Sequence, residues 1–172
     1  MSDRIVTGPP SERPAYGAMF SIDAVKRANR ESGSHFFDTD TLRFFGSRVL
    51  SGTYGGRFFI TSERTGFDHN APRAYTVREF MPDASIETVG EFNAYASGAT
   101  ARAAARRATQ ERHAYYFEGQ HGRNGRRRTY IVTADDPWAA MDRLHKNFRV
   151  WHVGRAADYM LTDTGTYPRL EA

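Results

Sequence analysis

Arginine is the residue type whose placement in this chain points most clearly to a chemistry. Between Arg102 and Arg128 the sequence holds eight arginines and two glutamates, a net charge of +6 over 27 residues. A guanidinium group binds phosphate through paired hydrogen bonds and stacks on bases. A solvated helix face in an arginine-rich chain is the alternative interpretation. The spacing predicts a nucleic-acid contact made by these side chains: Arg102, Arg106, Arg107, Arg123, Arg126, Arg127 and Arg128.

Aromatic side chains are candidates for stacking on the bases of that nucleic acid. Tyr115 and Tyr116 lie on a predicted strand directly before the arginine-rich loop, and Phe36 and Phe37 form a pair towards the N-terminus. An aromatic ring that faces solvent can stack on any base, because every base has a π-face. A ring that faces inward anchors the core instead. The sequence leaves both interpretations open.

His35, Asp38 and Asp40 form a second group of chemically active side chains, since they lie within six residues. They could ligate a divalent metal ion or form an acid–base pair. A structural role fits better, because Asp38 is a suitable N-cap for a short helix and Asp40 would complement the dipole of its first turn. We therefore predict no metal site and no cofactor.

The sequence carries none of the motifs that mark common enzyme sites. It has no phosphate-binding loop, nucleophile elbow, His-Glu-x-x-His motif or dinucleotide-binding glycine pattern. Gly52, Gly55 and Gly56 fall in a predicted hairpin turn and do not open a helix. These observations predict a binding protein and not an enzyme.

Composition narrows the class of protein further. The chain of 172 residues contains no cysteine, which excludes disulfides, thiolate metal sites and cysteine nucleophiles. It has no run of about 18 apolar residues, and residues 1–14 are polar. We therefore expect a cytoplasmic protein with no membrane contact. The 22 arginines against 2 lysines also fit a GC-rich coding sequence.

Glycine, proline and capping residues divide the first part of the chain into an arm, two helices and a meander. The prolines within residues 1–15 predict a flexible N-terminal arm. Ser21 caps a predicted helix over 22–31, and Asp38 caps a shorter one over 39–45. Alternating patterns around two turns then predict strands over 48–50, 57–64, 73–80 and 86–93.

The second part of the chain is predicted to contain a helix, a hairpin and another helix. The first helix covers 100–112, with Ala101, Ala104, Ala105 and Ala108 on one face. Strands over 113–118 and 126–134 flank the loop 119–125. Asp136 and Pro137 begin the next helix. Its apolar stripe comprises Trp138, Met141, Leu144 and Phe148. A strand over 149–153, a short helix or strand over 156–161 and ten loosely ordered residues complete the chain.

These elements predict an α+β fold, in which an antiparallel sheet of two or three hairpins carries helices packed on one face. Residues 16–112 and 113–172 would form two halves that share one core. The arm of residues 1–15 would precede them.

Three segments, 34–47, 56–64 and 74–80, carry a family resemblance. The first contains the pattern His-Phe-Phe-Asp-x-Asp-Thr-x-Arg-Phe-Phe. Over residues 20–108 the chain resembles a family of small uncharacterised proteins of bacteriophages and prophages. The resemblance implies a phage-type protein and assigns no activity and no functional residue.

The leading hypothesis is a non-catalytic binding protein whose arginine-rich face contacts DNA or RNA. The alternative is a phage-encoded protein that binds and modulates a host protein, such as a defence or transcription factor. Arginine and aromatic side chains anchor protein interfaces as well as nucleic-acid contacts, so composition does not separate the two hypotheses.

Overall fold

The computed structural model describes residues 45–156, except 65–67, 69, 84 and 145, together with strand Arg169–Leu170. Several predicted segments lie outside these residues: the arm, the helix over 22–31, most of the helix over 39–45 and most of the segment 156–161. The same holds for His35, Phe36, Phe37, Asp38 and Asp40.

Helices and strands are numbered in chain order within this part of the chain. They are β1 (Arg48–Val49), β2 (Phe58–Glu63), β3 (Ala74–Phe80), β4 (Ile86–Thr88), α1 (Gly98–Ala108), β5 (His113–His121), β6 (Arg127–Ala134), α2 (Pro137–Met141), β7 (Phe148–Arg155) and β8 (Arg169–Leu170). The described residues divide into two compact units. The first unit holds 45–80 and 85–110, and the second holds 81–83, 111–156 and 169–170.

The sheet of the first unit is an antiparallel meander, which confirms the prediction. Strands β1 to β4 are neighbours in chain order, and every neighbouring pair is antiparallel. β4 ends at Thr88, well before its predicted end at residue 93. Gly90 and Asn93 have φ angles of 77° and 57°, which turn the chain out of the extended region.

Helix α1 places its alanine face on this sheet. The Oγ of Ser97 accepts a hydrogen bond from the backbone N–H of Thr100 at 3.2 Å and so caps the helix. Methyl side chains let the helix lie close to Phe58, Ile60 and Val77 of the sheet. The predicted face is confirmed, since these alanines are all buried: Ala101, Ala104, Ala105 and Ala108. The helix begins at Gly98 and ends at Ala108, before its predicted end at residue 112.

Charged side chains are buried on the same sheet. Arg78 and Glu63 are each 1% exposed, and the Nη2 atom of Arg78 lies 3.4 Å from Oε1 of Glu63. The Nε atom of Arg78 donates to Oγ1 of Thr61 at 3.1 Å. Burial lowers the pKa of Arg78, and the carboxylate of Glu63 acts in the opposite direction. A second pair joins Nε of Arg57 to Oε1 of Glu79 at 2.8 Å.

The sheet of the second unit has the order β7-β5-β6-β8. β5 pairs antiparallel with both β6 and β7, and β8 pairs parallel with β6. The predicted hairpin of β5 and β6 is confirmed, although β5 extends to His121. One face of the sheet is the core of this unit, and it contains Tyr115, Phe117, Val132 and Val150.

Helix α2 is shorter than predicted. Asp136 caps it as expected, because its Oδ1 accepts from the N–H of Ala139 at 2.8 Å, and Pro137 occupies the first turn. The helix ends at Met141, however, and Phe148 begins strand β7. The apolar spacing from Trp138 to Phe148 therefore spans a helix, a turn and a strand. Arg169–Leu170, which was predicted to be loosely ordered, forms a strand.

The predicted α+β class, with helices packed on one face of an antiparallel sheet, is wrong. In the described part of the chain, strand residues far outnumber helical residues, and the strands form two small sheets of four strands each. Its two helices have 11 and 5 residues. The prediction counted helical stretches in the second half that the chain uses for strand β7 and for turns.

Candidate nucleic-acid interface

The turn between β5 and β6 is held in a fixed shape by its own polar groups. The Nε2 atom of Gln120 donates to the carbonyl oxygens of Gly122 (3.2 Å) and Arg123 (2.9 Å). At Gly125 an added Cβ would lie 2.0 Å from the carbonyl oxygen of His121, so the turn requires glycine there. The N–H of Gly122 donates to the carbonyl of Asn147 at 2.9 Å, which ties the turn to the segment before β7.

Four arginines project from this turn and from the start of β6 into solvent. They are Arg123, Arg126, Arg127 and Arg128, and all are exposed. Within the part of the chain that the structure describes, none of the four forms an ion pair with a carboxylate. Their charge is therefore available to an anionic partner.

Strand geometry separates two of these arginines. Successive side chains of a strand point to opposite faces of the sheet. Arg127 lies opposite Gln120 of β5, and Gln120 lies opposite Arg149 of β7, so Arg127 and Arg149 share one face. Arg128 lies opposite Gly119 and points to the other face. Adjacent arginines in the sequence therefore do not form one clamp.

Trp151 joins Arg127 and Arg149 on their face because β7 contains a bulge. Glu118 pairs with His152 while Gly119 pairs with Val150, which leaves Trp151 as the extra residue of β7. The guanidinium carbon of Arg127 lies 5.4 Å from the centroid of the Trp151 ring. We call Arg127, Arg149 and Trp151 the arginine–tryptophan face.

Sequence reasoning missed two members of this face. Arg149 and Trp151 alternate on the strand predicted over 149–153, which was a usable signal that they share a side. Their position beside Arg127 depends on the pairing of β7 with β5 and on the bulge. Neither of these can be derived from local spacing.

A chain of hydrogen bonds adjoins this face and links three side chains. The Nδ1 atom of His152 lies 3.1 Å from Oδ2 of Asp83, and its Nε2 atom lies 2.8 Å from the hydroxyl of Tyr116. Asp83 also accepts from the N–H of Val153 at 3.1 Å. The ring of Tyr116 fits because residue 154 is glycine, where an added Cβ would lie 2.5 Å from the ring.

The order carboxylate, imidazole, hydroxyl is the one that activates a hydroxyl in acid–base catalysis. Here the hydroxyl belongs to Tyr116, of which 9% is exposed, and the carboxylate of Asp83 is 8% exposed. Of the three hydrogen-bonded side chains, His152 is the one that reaches solvent, since its side chain is 40% exposed. The arrangement therefore fixes the orientation of His152 beside the arginine–tryptophan face.

Replacing Asp83 with alanine is expected to lower the free energy of unfolding by about 1–3 kcal/mol. The change removes the acceptor of the Val153 N–H and of the His152 ring, and it leaves a buried backbone donor unsatisfied. Urea unfolding monitored by circular dichroism measures the effect. Asp135→Ala is the matched control, because the Asp135 side chain is 85% exposed and its ion pair with Arg112 is on the surface. Equal losses in the two variants would contradict the prediction.

The two tyrosines proposed for base stacking lie inward. Tyr115 has no exposed surface and belongs to the core of the second unit. Tyr116 packs with Ile131 and Ala156. A base cannot reach either ring in this structure, so Trp151 replaces them as the aromatic candidate. Phe36 and Phe37 lie outside the described residues.

The arginines predicted on the helix are exposed on α1 of the first unit: Arg102, Arg106 and Arg107. The guanidinium carbon of Arg106 lies 5.8 Å from the centroid of the Tyr54 ring. The arginines of the β5–β6 turn belong to the second unit. The predicted cluster is thus divided between two units.

Two further properties concern the described residues as a whole. They contain no group of three or more histidine, aspartate or glutamate side chains placed to hold a metal ion. None of their helices is both long enough and apolar enough to cross a membrane.

Residues 21–106 match the model of a protein family described as Family of unknown function (DUF7447). The chain belongs to this family. A search of curated proteins and a search of solved structures found no match. The matched segment contains strands β1 to β4 and most of α1, so family membership characterises the first unit. The resemblance to a family without assigned activity is confirmed, and the phage origin stays a prediction.

Proposed function

We propose that this chain is a non-catalytic, phage-type protein that binds nucleic acid through the arginine–tryptophan face of its second unit. The observation that carries the proposal is the grouping of Arg127, Arg149 and Trp151 on one side of an antiparallel sheet. Two exposed guanidinium groups supply phosphate contacts, and the indole supplies a flat apolar surface.

Single-stranded nucleic acid is the form that this face suits best. An unpaired base can leave its stack and lie on an aromatic ring, whereas the bases of a duplex are covered by their neighbours. The half-buried Trp151 lies on β7 two residues after Arg149, and the guanidinium carbon of Arg127 lies 5.4 Å from the centroid of its ring. A base that stacks on the indole would therefore bring its neighbouring phosphates close to both guanidinium groups. The exposed arginines of the turn extend the positive surface.

Replacing both Arg127 and Arg149 with alanine is expected to weaken binding of a single-stranded oligonucleotide and to flatten its dependence on salt. Each lost phosphate contact lowers the slope of log affinity against log salt by about 0.7 for single strands, so the double variant should lose about 1.4. Fluorescence anisotropy of a labelled oligonucleotide over a salt series measures both quantities. Trp151→Ala should cost about 1–3 kcal/mol of binding with little change in slope.

Arg128→Ala is the matched control, because Arg128 is an exposed arginine of the same strand that points to the opposite face. It should change the slope less than either Arg127→Ala or Arg149→Ala. If all three variants behave alike, the face has no special role and general positive charge explains the binding. If the unaltered protein binds neither single-stranded nor duplex nucleic acid at low salt, the proposal fails.

A further inference from the structure

The first unit contains an open groove of about 460 Å³, bordered by the start of α1 and by strands β1 to β3. Three arginines line it, Arg48, Arg73 and Arg102. Among the described residues that line the groove, none is acidic. An arginine-lined cavity of this size lies within the range of about 300–1,000 Å³ that small-molecule sites occupy.

Strand pairing aligns one wall of the groove. Arg48 of β1 lies directly opposite Ser62 of β2, and Ser62 lies directly opposite Tyr75 of β3. Directly opposed residues point to the same face of a sheet. A guanidinium, a hydroxyl and a phenol ring therefore form one row across three strands.

Arg73 is held in position beside this row. Its Nε atom donates to Oγ of Ser62 at 2.9 Å, and its Nη2 atom donates to the carbonyl of Gly46 at 2.8 Å. These bonds fix the guanidinium without neutralising it. A group that is already oriented loses less conformational freedom when it binds a ligand.

The positive charges at this end of the sheet are close enough to affect one another. Burial lowers the pKa of Arg73, and the charges of Arg48 and Arg64 lower it further. The Nε atom of Arg64 is buried, and it has no hydrogen-bond partner within the described part of the chain. The nearby carboxylate of Glu63 raises the pKa of Arg73, but it is also engaged by Arg78.

The start of α1 brings the third arginine to the groove. A Cβ added at Gly98 would lie 3.3 Å from the ring of Tyr75 and 3.5 Å from Nη1 of Arg102. Gly98 is therefore close to both side chains, and all three residues line the groove. The first turn of α1 has no acidic residue, so the helix dipole adds to the positive field.

We propose that this groove binds a phosphate monoester, the group found on a free nucleotide and at the 5′ end of a nucleic acid, between Arg48, Arg73 and Arg102. A phosphate monoester carries up to two negative charges and offers several oxygens to guanidinium forks. Tyr75 provides an aromatic surface for an attached base. The site lies in the first unit and uses none of the residues assigned to the arginine–tryptophan face.

The test is calorimetric titration of the full chain with AMP and with adenosine. AMP should bind, and adenosine should bind at least tenfold more weakly because it lacks the phosphate. Arg48→Ala/Arg102→Ala should lower the affinity for AMP by about tenfold or more, since charge-assisted hydrogen bonds are lost. Both arginines are exposed, so this variant should unfold at the same temperature as the unaltered protein.

Arg107→Ala is the matched control, because Arg107 is exposed on α1 and does not line the groove. It should leave AMP binding unchanged. Competition by a 5′-phosphorylated oligonucleotide but not by its 5′-hydroxyl form would identify a nucleic-acid end as the source of the phosphate. Without such competition, a free nucleotide is the source. The proposal is overturned if AMP does not bind at millimolar concentration, or if Arg48→Ala/Arg102→Ala binds it as well as the Arg107→Ala control does.

Discussion

Replacing Arg78 with methionine is expected to lower the free energy of unfolding by about 3–5 kcal/mol. The change leaves the carboxylate of Glu63 buried, at 1% exposure, without the guanidinium that now lies 3.4 Å away. Thr61 and Thr88 each lose a hydrogen bond that Arg78 donates. The Oγ1 of Thr76 still contacts Glu63 at 3.3 Å, but a hydroxyl does not balance a buried charge.

Unfolding in urea at neutral pH measures this loss. A second variant separates the effect of leaving Glu63 unpaired from the effect of replacing Arg78 itself. Burial already lowers the pKa of Arg78, which means that the folded environment disfavours its charge. Removing both charges in Arg78→Met/Glu63→Leu should therefore return stability to within about 1–2 kcal/mol of the unaltered protein. Two results would contradict this prediction: a loss below 1 kcal/mol for Arg78→Met, or equal losses for the single and double variants. Either would show that an unpaired Glu63 carboxylate is not what destabilises the sheet.

The parts of the fold that follow from local chemistry could be predicted from the sequence. Alanines at helical spacing predicted the buried face of α1, and Asp136 before Pro137 predicted the start of α2. Glycine-rich turns predicted the hairpins of both sheets. Each of these features depends on neighbours within a few residues, whose preferences are strong enough to act alone.

The end of α2 and the division into two sheets depend on distant partners. Phe148 continues the apolar spacing of Trp138 and Met141, so a helix over all three residues was a reasonable prediction. In the structure Phe148 instead lies opposite His121 of β5 and packs in the core of the second unit. Strand pairing across some 27 residues of chain overrode the local helical pattern, and such pairing leaves no local signal.

In the candidate site, too, local sequence does not determine which way single side chains point. Arg126 to Arg128 form one basic run in the sequence, but strand alternation points Arg127 and Arg128 to opposite faces. Tyr116 was a candidate for stacking, and the structure instead buries it over Gly154 with its hydroxyl on His152. Composition identified the positive charge of this region, whereas register and the bulge in β7 determine which charges share a surface.

Gly119→Ala is expected to lower the free energy of unfolding by about 2 kcal/mol or more and to weaken nucleic-acid binding as well. An added Cβ at this position would lie 2.2 Å from the carbonyl oxygen of Arg149 and 2.8 Å from the ring of Phe148. The clash with backbone cannot be relieved by a change of rotamer, so β7 must move away from β5. That movement would displace Arg149 and Trp151 relative to Arg127 and so separate the members of the arginine–tryptophan face.

Gly122→Ala is the control, because it also replaces a glycine with alanine but does not bring a Cβ against β7. Gly122 lies in the same hairpin with φ at 62°, and a Cβ there would meet nothing within 4 Å. It should cost about 1 kcal/mol of stability through backbone strain and leave the β5–β7 pairing intact. Urea unfolding and oligonucleotide anisotropy on both variants give the comparison.

Two outcomes would contradict the prediction. If Gly119→Ala is no more harmful than Gly122→Ala in either assay, the close approach of β7 to β5 at the bulge does not position the arginine–tryptophan face. If it loses stability but keeps full affinity, Arg149 and Trp151 do not need their position beside Arg127 to bind.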